Sequence, residues 1–167
     1  PVEVAENIVT LDHLTHGRLT LGVAIGYRDE ELQAVSLTRR DRVAKFEESL
    51  QVMKRLWAGE TVTFAGQYIT LTDARLGFLP SQQPHPPIEF GAQSQGAVQR
   101  AARLADGVFL GPQVSWRDIQ TLVNVYKAAR QQAGHQDMGM IGASRSLIVG
   151  RDKADAAATA QEYVAKT

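Results

Sequence analysis

Four short apolar runs, 19–25 ("LTLGVAI"), 88–91 ("IEFG"), 106–111 ("DGVFLG") and 146–150 ("SLIVG"), are each followed by a stretch of helical periodicity. Strands that alternate with amphipathic helices cannot be joined by tight hairpins. They form parallel βαβ units, with helices covering the sheet. Runs as apolar as these suit strands buried on both faces.

Helical signals fill the gaps. Pro1 suits a first helical turn, Val4, Ile8 and Leu11 repeat at helical spacing, and Gly17 closes that helix. A second helix spans 42–57, with Phe46, Leu50, Met53 and Trp57 along one face. Ser94 is an N-cap for a helix ending near Leu104. Ser115 caps another, which carries Ile119, Leu122, Val123 and Tyr126 and stops at Gly134, and Asp152 opens an alanine-rich final helix. Between the second helix and the second strand, "TVTFAGQYITL" (61–71) reads as a hairpin turning at Ala65-Gly66, and "PSQQPHPP" (80–87) as a stiff extended connector. The expected order is α, β, α, hairpin, β, α, β, α, β, α.

Composition narrows the function. Eighteen basic residues balance eighteen acidic ones, which gives no electrostatic reason to expect nucleic acid or an anionic membrane. Cysteine is absent, so a disulfide framework, a thiolate metal site and a cysteine nucleophile are excluded, and a reducing cytoplasm is the expected compartment. His13 and His16 have no carboxylate at metal spacing, so no metal is expected. Glu47 and Glu48 read as a solvated helix face, and Trp57 and Trp116 as packing residues.

In parallel βα architectures ligands bind beyond the carboxyl ends of the strands. Two segments fall there. Gly26 and Tyr27, followed by Asp29, Glu30 and Glu31, form a glycine-hinged acidic rim after the first strand; the same residues would equally serve to relieve crowding and to cap a following helix. Gly91, Ala92, Gln93 and Ser94 form a small-residue turn entering a helix, whose free N–H groups would cradle an anion; an ordinary βα turn with a serine cap fits the same pattern. A barrel glycosidase using Asp29, Glu30 or Glu31 needs a second carboxylate at a neighbouring strand end, and none presents itself.

Taken together, 1–27, the "RVAKFEESLQVMKRLW" helix with its following hairpin, and "PPIEFGAQSQGAVQRAARLADGVFL" (86–110) resemble the bacterial luciferase-like family of flavin-dependent oxidoreductases. The resemblance implies a (β/α)8 TIM barrel, of which residues 1–167 would be a partial domain covering roughly strands four to seven with an inserted β-hairpin, cut at both ends. It implies a reduced FMN or deazaflavin coenzyme, with monooxygenation or hydride transfer as the reaction and the fragment alone inactive. A non-catalytic flavin-binding or partner subunit of the same fold is the alternative. Gly91, Ala92, Gln93 and Ser94 would hold the cofactor phosphate, with the Ala92 methyl close to it where the family often has glycine. Gly26 and Tyr27 would border the ring or substrate cavity, and Asp29 and Glu31 would belong to a closing loop. The implied partners are a small organic substrate, a flavin reductase and further copies of the chain. No catalytic set can be named, because the missing strands supply much of the family's site.

Overall fold

The computed structural model describes residues 1–166. Its centre is a four-stranded parallel sheet in the order β1-β4-β5-β6, built from β1 (Leu21–Val23), β4 (Ile88–Ala92), β5 (Gly107–Leu110) and β6 (Met140–Ala143). A separate antiparallel pair is made by β2 (Val62–Ala65) and β3 (Thr70–Ala74). The helices are α1 (Val2–Leu14), α2 (Asp29–Ala34), α3 (Arg42–Trp57), α4 (Gln95–Leu104), α5 (Trp116–Gln132) and α6 (Lys153–Lys166).

The core lies between the sheet and α1, α3, α4 and α5. Ile88, Phe90 and Ala92 alternate with Glu89 and Gly91 along β4, and the first three are buried. Val108 and Leu110 of β5 join them, and the Phe46 ring of α3 meets Phe90 edge-on at 5.2 Å. The other sheet face is open. Gly22, Val23, Ala24, Glu89, Gly91 and Phe109 line a concavity of about 380 Å³ there. The expectation of strands buried on both faces is therefore corrected: among the described residues, helices cover one face alone.

Three further expectations change. The buried face of α1 is Ala5, Ile8, Val9 and Asp12, while Val4 and Leu11 are exposed. In this rotation the Trp57 indole N–H donates to the Ala5 carbonyl at 3.2 Å. The hairpin turn is 66–69 rather than Ala65-Gly66, closed by Gly66 N–H donating to Ile69 O at 2.9 Å. The final strand is β6, not 146–150: Met140 N–H bonds Asp106 O and Ser144 N–H bonds Leu110 O, whereas Leu147 and Val149 stand exposed.

The turn owes its shape to Glu48. One carboxylate oxygen accepts from Gln67 N–H (2.8 Å), the other from Tyr68 N–H (2.9 Å) and Ile69 N–H (3.1 Å). A Cβ on Gly66 would overlap that carboxylate and the Phe64 ring, so any larger residue there must displace one of them. Glu47 reaches the other way, pairing with Arg100 of α4 at 3.0 Å. Neither glutamate is a bystander on a wet face.

The proline connector is fastened as firmly. Asp12, fully buried, accepts from Gln82 N–H at 3.0 Å and from the Gln82 side-chain amide at 2.8 Å. The same amide donates to Leu19 O at 2.8 Å, so α1, the approach to β1 and the connector meet at one point. That junction sets the entry of β4, whose far end carries the candidate site.

Candidate functional site

Because the four strands are parallel, their carboxyl ends share one edge. At the end of β4 the chain turns through Gln93 and Ser94 into α4. The Ser94 hydroxyl accepts from Ala97 N–H at 3.4 Å, the expected cap. The first amides of α4 have no acceptor within the helix, and open space surrounds Gly96 at that end. Beside it, Gln93, Ser94, Gln95, Gln113, Val114, Asp118, Thr121 and Leu122 line a cleft of about 290 Å³. Gln93 Nε2 donates to Gln113 Oε1 at 2.9 Å, which ties the β4–α4 turn to the β5–α5 turn. Gln113 was not legible as a site residue, since nothing in the sequence joins two turns 20 residues apart.

Ala92 does not crowd this turn. Its side chain is buried in the core on the helix-facing side of β4, so only its backbone faces the rim. Gly91 lies on the open face, where an added Cβ would come within 3.5 Å of Val23 O and 3.6 Å of the Ala24 methyl. A group with an anionic end and a flat apolar body fits this arrangement: helix amides for the anion, and the Gly22–Gly91–Phe109 surface for the body. The cleft itself is lined by no cation. It does carry the Asp118 carboxylate, which accepts from the Ser115 hydroxyl at 2.6 Å.

After β1 the chain makes a second rim element. Gly26 takes a left-handed φ of 72° and Tyr27 stands 76 % exposed. The acids form the first turn of α2, which is the helix-start alternative read from the sequence rather than a free loop. Arg39 grips Asp29 with both nitrogens, at 2.6 and 3.2 Å, and Arg28 pairs with Glu31 at 3.1 Å. The hydrogen bond from Arg39 holds the Asp29 carboxyl below its ordinary value. A carboxylate held this way makes a poor proton donor, which counts against Asp29 as the acid of a glycosidase.

Trp116 is also corrected. It sits at the start of α5, 81 % exposed, with the Arg145 guanidinium 5.8 Å from its ring centre, whereas Trp57 is fully buried as expected. Among the described residues, no cluster of three or more histidine, aspartate or glutamate side chains is placed to hold a metal. No helix there is long and apolar enough to cross a membrane.

Comparison with known proteins bears on the fold. The monooxygenase RslO1 from Streptomyces bottropensis superimposes with a TM-score of 0.83 at 26% identity, over 97% of this chain and 50% of that one. The coenzyme F420 dependent tetrahydromethanopterin reductase from Methanopyrus kandleri gives 0.75 at 20% identity, over 93% and 49%. Riboflavin lyase RcaE, solved with modified FMN and riboflavin, gives 0.81 at 19% identity, over 97% and 42%. The last two likenesses concern the fold. The chain thus spans about half the length, or less, of these solved structures. The model of the luciferase-like monooxygenase family matches residues 1–167, and the chain belongs to that family.

Proposed function

We propose that this chain forms the cofactor-binding half of a flavin-dependent oxidoreductase whose whole is a (β/α)8 barrel. The carrying observation is the pairing, on one sheet edge, of an open helix N-terminus at 94–96 with an exposed, glycine-lined sheet face. FMN and the deazaflavin coenzyme both join an anionic tail to a flat ring, and the solved relatives include proteins described with modified FMN and with F420. The phosphate rests on the backbone of Gly91, Ala92, Gln93 and Ser94, and Gly26 and Tyr27 border the ring. The cofactor supplies the redox chemistry; the chain orients it and excludes water. A small organic substrate enters over the same rim, and a cytoplasmic reductase recharges the flavin where flavin is used. Taken alone, copies of this chain associate through the outer strands β1 and β6, whose edges are unpaired among the described residues.

A second reading has its own support. The Ser94 hydroxyl is engaged in capping, and the cleft carries Asp118 with no cation, which weakens anion binding. A non-catalytic partner subunit on the same fold would tolerate both features. Titration of FMN and of the deazaflavin coenzyme into the full reading frame, followed by cofactor fluorescence, separates the two. Saturable binding of one, abolished by Ser94→Glu, supports the enzyme; a folded protein that binds neither supports the partner subunit.

A further inference from the structure

The rim turn after β1 is held in an unequal way. Its backbone is fixed at consecutive carbonyls, because Arg42 Nη1 donates to Gly26 O and Arg39 Nη2 donates to Tyr27 O at 3.2 Å. Arg39 also grips Asp29 two residues on. The Tyr27 ring, at the tip of the same turn, lies largely in solvent. Both arginines come from the segment between α2 and the start of α3. That segment folds back because Ser36 adopts a left-handed φ of 56° and Leu37 N–H bonds Leu32 O at 2.8 Å. Arg39 is exposed, and an exposed ion pair contributes little to stability, whereas Arg42 is half-buried with its Nε unpartnered. Fixing the main chain under an exposed aromatic residue, by contrast, lowers the entropy lost when that residue meets a ligand.

We propose that Arg39 and Arg42 are positioning residues that latch the Gly26–Asp29 turn and thereby present Tyr27 to the ring of the cofactor. The inference rests on the functional reading above. Asp29 gives Arg39 its second hold on the turn, through bonds of 2.6 and 3.2 Å.

The test is a double-mutant cycle in the full reading frame, with FMN and the deazaflavin coenzyme as probes. Arg39→Ala and Arg42→Ala should each raise amide exchange across 27–32 and weaken the tighter cofactor about tenfold, with the urea midpoint moved no more than a surface change moves it. Tyr27→Ala should weaken binding by a similar factor, and adding Arg39→Ala to it should cost nothing more. Arg39→Lys, which keeps the charge but loses the two-pronged grip, should recover part of the affinity. Additive losses in the double variant, or unchanged exchange, overturn the proposal. Should Arg42→Ala fail to fold, the exposed Arg39 variants carry the cycle alone. Wild-type protein that binds neither cofactor refutes the functional reading, and the latch is then decided by exchange: faster exchange in the Arg39 variant upholds it and unchanged exchange ends it.

Discussion

Replacing Asp12 tests whether one buried carboxylate organises the approach to the site. The side chain is fully buried and its partners are two N–H groups of Gln82 rather than a cation. A hydrogen bond to a charged acceptor contributes about 1.5–3 kcal/mol, and a buried donor left without a partner costs about 1–3 kcal/mol. Asp12→Ala removes both acceptors, so the gross loss approaches twice the single-bond figure. Relief of the carboxylate's own desolvation offsets part of it, which leaves a net of about 2–4 kcal/mol. Asp12→Asn keeps the shape but turns an NH2 toward one of the two donors, for about 1–3 kcal/mol. Urea unfolding with a common slope measures both, and the alanine variant should be the weaker. Exchange at the Gln82 amide should quicken in step. An Asp12→Ala variant within about 0.5 kcal/mol of wild type, the range of an ordinary surface substitution, would refute the reasoning.

Other expectations are independent of that junction. Glu48→Ala should cost about 1.5–3 kcal/mol and speed exchange at Gln67, Tyr68 and Ile69, with Glu48→Gln between it and wild type. The hydrogen bond from Arg130 holds the Asp137 carboxyl below its ordinary 3.8. A depressed folded value stabilises above the unfolded pKa and is lost as pH falls through the folded one. The thermal midpoint of wild type should therefore drop more steeply below about pH 4 than that of Asp137→Asn. Leu147→Asp should stay within about 0.5 kcal/mol of wild type in this chain, because that side chain is exposed; a large loss would show 146–150 to be packed.

What the sequence revealed was local. The bounds of α3 follow from an unbroken apolar period, and the caps at Ser94 and Ser115 follow from hydroxyls placed one residue before a helix. What it concealed depends on distant partners. β6 has a weak strand composition and pairs because β5 offers an edge, while the more strand-like 146–150 finds none among the described residues. The acids after Tyr27 fitted a loop as well as a helix start, since a six-residue helix shows little periodicity. Glu48 looked solvated because its three donors lie 19 to 21 residues ahead. At the site, the β4–α4 turn was legible as strand, small residues and cap, but its link to Gln113 and the inward course of the Ala92 methyl needed the fold.

The Glu48 anchor has a consequence for how this protein can vary. Its carboxylate contacts main-chain amides, which every residue except proline supplies, so it is indifferent to the side chains that pass above it. Gln67, whose side chain is exposed, can drift widely while the hairpin stays docked on α3, and a library randomised there should retain folded members at high frequency, whereas Ile69 is buried in the core and should accept only apolar replacements. Replacing Gly66 should displace the Glu48 carboxylate or the Phe64 ring, so changes at Gly66 and Glu48 should loosen the turn where changes at Gln67 do not. The exposed position 67 is thus a place where new surface chemistry can be tried on a turn whose attachment rests on Glu48, Tyr68 and Ile69 instead.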